Sequence, residues 1–412
     1  MDVTRRRGET TPKVVAGVFL IALAGVALTR WPVARWEPFD GDEFLIVGIV
    51  RTHWFFVYHT LFLTAGRVFG AAVGDAYSGF VVLDMLTSAL ALTAVWWWLR
   101  ALVRPATAAA ATLALGAAPL FWAYGAMAGS YTGIVAVGSF LLGVAVRTWR
   151  DPRPWHPFAA AAVLALGTGY RHDVGTLWLP VFFVILWPHR WTRAAAALAV
   201  FTVINLTWIG LMLREAGGWA GYRDATREFA HQAGYLNSVW NLGLVDASVR
   251  YAVKLVVALL WTFGPGLVFA PRGLARLARE TSGRGPAALL VLSMAPALGL
   301  HLLIHFGVPG YAFHYVPALV ALVALGIGRD PAPVSAPAAD KAPARLAALA
   351  TLLAAAFLFY PTDFDRPGLR GEFDLSFARH TRVGLRTRPP SRSPSVWRTA
   401  NSRSVTGALL PR

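Results

Sequence analysis

The chain has 412 residues, of which 56% are hydrophobic and only 14% charged, with a mean hydropathy of +0.52 and 17 tryptophans. That balance excludes an ordinary soluble domain, and the absence of cysteine excludes a disulfide framework or a thiolate metal site. The formal charge of +17 would suit a nucleic-acid binder, but the basic residues flank apolar runs, as membrane topology determinants do, so no nucleic-acid partner is implied.

The first apolar run, Val14 to Thr29, is uncharged and follows Arg5, Arg6, Arg7 and Lys13. The excess of positive charge before it predicts a cytoplasmic N-terminus, with the next segment on the far side of the membrane. A signal peptide would explain this run alone and none of the later ones. The segment that follows opens on Asp40-Gly41-Asp42-Glu43, three carboxylates in four positions of a chain with 21 acidic residues. Beside hydrocarbon such a cluster reads as a site, because charge there is costly. One of its carboxylates could serve as general base toward a hydroxyl, or a pair could hold a divalent cation through oxygen ligands. The plainer alternative is a helix cap, for which one Asp suffices. From Phe44 to Gly70 the chain is amphipathic, with Arg51, His53, His59 and Arg67 among large apolar side chains, as in helices lying in or dipping into the membrane interface.

Uncharged stretches then recur, each near the roughly 20 residues a helix needs to cross a bilayer. They predict an all-α, polytopic bundle of roughly 11 spans, approximately 14–31, 77–99, 106–127, 131–147, 157–170, 174–189, 194–213, 250–270, 286–306, 311–328 and 345–360. Cytoplasmic turns would hold Arg100 and Arg104, then Arg147, Arg150 and Arg153, then Arg190 and Arg193, then Arg272, Arg276, Arg279 and Arg284, where they contact lipid headgroups. Trp96-Trp97-Trp98, Trp187 and Trp191 fit an interfacial aromatic belt. The segment Arg214 to Ser248 could cap the bundle, Arg329 to Arg345 reads as a Pro- and Ala-rich linker, and residues 361–412 form a basic, poorly ordered tail after a membrane domain of 1–360.

Polar residues at the predicted outer face carry the chemistry. Tyr170-Arg171-His172-Asp173 interrupts a hairpin at its outer turn, and a guanidinium there suits bidentate phosphate binding. Its bland counterpart is an exposed Arg171–Asp173 ion pair. His301 and His305 share a helical face and His314 follows the Pro309-Gly310 break, so a polar substrate lining or interhelical hydrogen bonding is favoured over a metal site. Asp84, inside the second span, reads as a helix–helix polar contact.

The order of these features resembles the GT-C superfamily of integral-membrane glycosyltransferases, which includes protein O-mannosyltransferases and the bacterial lipid A aminoarabinose transferase. The resemblance rests on Asp42-Glu43 in the first outer loop, the aromatic approach His53-Trp54-Phe55-Phe56-Val57-Tyr58-His59, and Pro119 to Tyr124 followed by Ser130-Tyr131-Thr132. Gly169-Tyr170-Arg171 and Gly310-Tyr311 leading to Tyr315-Val316-Pro317 extend it. The chain departs from the family pattern at Gly129, where an acid often stands, and in lacking a Pro-rich approach after the first His.

The resemblance implies transfer of a sugar from a polyprenyl-phosphate-linked donor to a hydroxyl on a lipid, glycan or protein, at the outer face of a bacterial cytoplasmic membrane. Asp42 would then be the base, with Asp40 its rival and Glu43 orienting acceptor or base. Arg171, with His172 and His53, would bind the donor phosphate, while His59, His305, Tyr311 and His314 line the substrate cavity. No resident cofactor is implied, although the acidic cluster could take a divalent cation. A lipid-linked glycan ligase or polymerase, a transporter or flippase, and a scaffold are the rival classes. A transporter predicts ionisable residues near the bilayer midplane, whereas most acids here collect at the outer face.

Overall fold

A computed structural model of the protein describes residues 11–34, 59–279, 284–328 and 341–359. Asp40, Asp42, Glu43 and His53 lie outside the described residues, as do 329–340 of the expected linker and the tail from 360. Among the described residues the chain is helical, with no strand. In order the helices are α1 (Pro12–Ala34), α2 (Thr60–Val73), α3 (Ala76–Leu99), α4 (Pro105–Gly116), α5 (Pro119–Tyr124), α6 (Tyr131–Arg150), α7 (His156–Tyr170) and α8 (His172–Leu186). They continue with α9 (Trp191–Glu215), α10 (Trp219–Phe229), α11 (Leu244–Phe263), α12 (Ala270–Arg279), α13 (Arg284–Leu303), α14 (Val316–Ile327) and α15 (Ala342–Phe359).

The architecture is a polytopic transmembrane helix bundle. Among the described residues, six stretches are long and apolar enough to cross a membrane: Pro12–Trp31, Ala76–Leu99, Tyr131–Arg150, Trp191–Glu215, Leu244–Arg279 and Gly285–Leu303. Shorter apolar helices lie among them, including Pro105–Gly116, His172–Leu186 and Val316–Ile327. Helix α3 is the hub, packing on α1, α2 and α6. It is apolar on nearly every side, the pattern of a helix buried all round, whereas α1 turns Leu20, Ile21 and Leu28 outward, as a helix does when lipid is its solvent. The hairpin of α2 and α3 closes at two glycines: a Cβ on Gly79 would stand 2.2 Å from the backbone nitrogen of Gly70. Asp75 starts α3 as its N-cap, accepting the Ser78 N–H at 2.8 Å.

Two sequence expectations are corrected. The predicted span 106–127 is broken into α4 and α5, because Pro119 cannot continue a helix interior and instead takes the first helical position of a new one. Trp96 and Trp98 are buried in the bundle instead of sitting in an interfacial belt, and the Trp98 indole N–H donates to the Pro317 carbonyl at 2.9 Å, tying α3 to α14. A buried indole needs such an acceptor. Trp187 and Trp191, by contrast, are exposed at a helix turn, as a belt requires.

Candidate functional site

Arg171 is the one non-helical residue between α7 and α8, and its extended backbone (φ −154°, ψ 114°) turns the chain so that the guanidinium enters the bundle. It is 3% exposed. Its Nε–H donates to both Asp173 oxygens at 3.0 and 3.1 Å, and Nη1 donates to the Ser130 hydroxyl at 3.1 Å. The rings of Tyr131 and Tyr311 wall it on either hand, with centroids 4.2 and 5.0 Å from the guanidinium carbon. Burial opposes the charge on Arg171, but the Asp173 carboxylate, together with Tyr131 and Tyr311, offsets that and leaves the guanidinium holding its proton more tightly than an ordinary arginine.

Asp173 sits in the first turn of α8, where a carboxylate suits the positive end of the helix. It also meets His314 Nε2 at 3.2 Å, and since an ionised carboxylate only accepts, the proton of that ring belongs on Nε2. Behind His314 lies His301, whose Nδ1 is 3.0 Å from the Tyr315 hydroxyl and whose ring is 5.7 Å from His314 and 5.3 Å from Tyr311. His305 stands edge-on to Tyr311 at 5.7 Å and to Tyr251 at 6.5 Å. A tight turn, Pro309–His314, delivers Tyr311 and His314 to this cluster. It can come so close because Gly310 lacks a side chain: a Cβ there would lie 2.5 Å from the Tyr131 ring.

Of the residues expected at the donor phosphate, Arg171 is central, while His172 is turned onto Trp208 of α9, its ring stacked at 5.0 Å. His59 adopts a left-handed backbone (φ 70°), unusual for a residue with a Cβ, just before α2, and falls within electrostatic reach of Arg171, Asp173 and His172. His305, Tyr311 and His314 do converge. The Arg171–Asp173 pair is formed, but in a buried setting and not on the exposed turn that the plain ion-pair reading assumed. Sequence reasoning grouped His301 with His305 and His314 and paired Asp173 with Arg171, but did not assign Ser130, Tyr131 or Tyr315 to this cluster. Gly129-Ser130-Tyr131 and Tyr315 stood inside recognisable motifs, yet helical spacing alone does not say which turns meet across a bundle. Among the described residues no group of three or more His, Asp or Glu is arranged to hold a metal ion.

A second polar cluster lies nearby. Asp84 Oδ1 accepts from Thr132 at 2.6 Å and Thr87 at 3.1 Å, so this acid does bridge helices, α3 to α6. Buried Arg30 faces the same carboxylate electrostatically and lies over the Phe121 ring at 5.1 Å. Gly125 makes room for it, since a Cβ there would be 1.7 Å from Arg30 Nη1. Tyr170, which precedes Arg171, lies within electrostatic reach of Asp84, so the two clusters adjoin. Chemically, the Arg171 cluster offers a fixed cation whose N–H groups donate to Asp173 and Ser130, between aromatic walls and beside imidazoles.

No protein-family model matches the chain. No curated protein matches it either. Solved structures do. The crystal structure of ArnT from Cupriavidus metallidurans bound to undecaprenyl phosphate is similar at a TM-score of 0.54, with 16% identity over 77% of this chain and 60% of that one. The apo form of the same protein gives 0.52, with 17% identity over 76% and 60%. The apo oligosaccharyltransferase of Archaeoglobus fulgidus gives 0.48, with 12% identity over 91% and 57%. The chain therefore shares the fold of the ArnT structures, and it spans about 60% of their length.

Proposed function

We propose that the protein is a membrane glycosyltransferase that moves a sugar from a polyprenyl-phosphate-linked donor to a hydroxyl on a lipid, glycan or protein at the outer face of the membrane. The observation that carries this reading is Arg171, a buried guanidinium framed by Tyr131 and Tyr311 at one end of a GT-C bundle. A similar structure binds undecaprenyl phosphate. A buried cation so placed stabilises the negative charge that grows on a departing lipid phosphate more strongly than a solvated one could.

In this reading a carboxylate of the first outer loop, Asp42 foremost and Asp40 as its rival, takes the proton from the acceptor hydroxyl. The hydroxyl oxygen attacks the anomeric carbon from the face opposite the phosphate, and the bond from that carbon to the phosphate oxygen breaks with inversion. The lipid phosphate leaves with the electron pair, held by Arg171. Asp173 and Ser130 fix the guanidinium, and His314 completes the chain of hydrogen bonds behind it.

The test measures undecaprenyl phosphate binding to the full chain in nanodiscs. Arg171→Lys keeps the charge opposite Asp173 but loses the planar fork, so affinity should fall, and fall further in Arg171→Ala. Affinity for acceptors should change less. Unchanged affinity for the lipid phosphate in folded Arg171→Ala would overturn the assignment.

A further inference from the structure

Asp84 lies inside α3, about 12 Å along the helix from its start, and is fully buried, yet the proposed reaction gives it no part. A carboxylate at that depth of a membrane helix is costly, and a plain helix–helix contact needs no more than a hydroxyl or an amide. What Asp84 holds is the first turn of α6, the turn that meets Arg171.

Each residue of that turn meets another part of the fold. Ser130 stands at the N-cap of α6, but its hydroxyl makes no capping bond to the helix and accepts from Arg171 Nη1 at 3.1 Å instead. The Tyr131 ring walls the same guanidinium. Gly133 receives the ring of Tyr170, the chain neighbour of Arg171, since a Cβ there would stand 2.6 Å from that ring. Thr132, fully buried, donates to Asp84 Oδ1 at 2.6 Å, a length typical of a hydroxyl on an ionised carboxylate and stronger than a bond to a neutral acceptor. Thr87 closes a triangle, its hydroxyl 3.1 Å from the same oxygen and 2.8 Å from that of Thr132. A serine at the N-cap ordinarily satisfies a free N–H of its own helix. Here that oxygen serves Arg171, and the side-chain bond that ties the turn to α3 is the one from Thr132 to Asp84.

We infer that Asp84, acting through Thr132, is a positioning residue for Arg171: it holds the first turn of α6 where the Ser130 hydroxyl and the Tyr131 ring meet the guanidinium. This role presupposes that Arg171 binds the donor phosphate. Helix α3 is a firm base for it, being packed on α1, α2 and α6, and buried Arg30 of α1 faces the carboxylate with the opposite charge. A turn so held keeps Arg171 preorganised, so that binding a lipid phosphate costs less ordering of the site.

The experiment reads undecaprenyl phosphate affinity in nanodiscs and melting temperature in detergent, both on the full chain. Thr132→Val keeps the shape and loses the hydroxyl, so affinity should fall about tenfold, the scale of one lost bond to a charged group. Thr132→Ser keeps the hydroxyl and should bind as the unaltered chain does. Trp98→Phe breaks another bond of α3, to the Pro317 carbonyl, and should lower the melting temperature while leaving affinity unchanged. Unaltered affinity in Thr132→Val, or equal losses in Thr132→Val and Trp98→Phe, would overturn the inference. A double-mutant cycle on melting temperature needs no ligand. Ser130→Ala should cost less in the Thr132→Val background than in the unaltered chain, because the bond to Arg171 is already slack there. Additive losses would overturn the inference as well. Should the unaltered chain fail to bind undecaprenyl phosphate, the functional reading falls, and the cycle alone decides whether Thr132 holds the turn.

Discussion

Two Arg–Asp pairs stand at opposite ends of this bundle, and locally they are almost the same object. In each, arginine and aspartate are two residues apart, and in each the guanidinium Nε meets a carboxylate oxygen at 3.0 or 3.1 Å. Yet the side chains of Arg171 and Asp173 are 4% and 17% exposed, whereas those of Arg153 and Asp151 are 46% and 71% exposed. Water screens and competes for the second pair and is excluded from most of the first. The motif is thus uninformative by itself; what surrounds it decides whether the pair is a fixture of the fold or a loose contact.

The sharpest way to break that comparison is to remove the acid from each pair. Asp173→Ala leaves a buried guanidinium without its countercharge, so a loss of about 3–5 kcal/mol is expected, with His314 deprived of its acceptor as well. The melting temperature in detergent reads it directly. If Asp173→Ala costs no more than an exposed pair does, Arg171 has found water or another anion and the buried-cradle argument fails.

A second test separates folding from chemistry. Asp42→Asn should leave the melting temperature unchanged while sugar transfer falls by about 10²-fold, the usual scale for a general base. Should Asp40→Asn lose the activity instead, the base moves two residues along the loop and the mechanism stands. Full turnover in both variants would return the cluster to a capping role.

A third test concerns the wall around Arg171. Gly310→Ala must push Tyr131 aside, because the added carbon would stand 2.5 Å from its ring. Overpacking of this kind costs about 1–3 kcal/mol. Undecaprenyl phosphate binding should weaken alongside stability, since Tyr131 and Tyr311 frame the same guanidinium. Loss of stability with unaltered binding would separate the aromatic wall from the phosphate site.

The sequence announced the bundle because membrane helices are written in long uncharged runs, and Arg104 to Arg147 or Gly285 to Gly328 admit few other readings. It also marked Arg171, a cation between two such runs. What stayed illegible was convergence. His314 reaches Asp173 across 141 positions and Ser130 reaches Arg171 across 41, and no local periodicity encodes which helix ends meet. The same limit misplaced Trp96 and Trp98: an aromatic at a span end can anchor in the interface or bury its indole against a neighbouring carbonyl, and only the partner, here Pro317, decides. His172 shows the same limit, since its neighbour in the chain faces the cluster while its own ring stacks on Trp208.

The smallest expected effect completes the comparison. Asp151→Ala removes a carboxylate whose partner Arg153 is half in solvent, so the pair itself should be worth about 0–1 kcal/mol, and less at high salt. One further consequence distinguishes this from simple neutrality. Asp151 is also the C-cap of α6, where a negative charge sits at the unfavourable end of the helix dipole, so its removal should recover a few tenths of a kcal/mol of what the pair gave. Near-unchanged stability is the expected outcome, read in one melting curve. A loss of 3 kcal/mol or more would mean that this pair, like the one at Arg171, is shielded from water, and the contrast between the two ends would not hold.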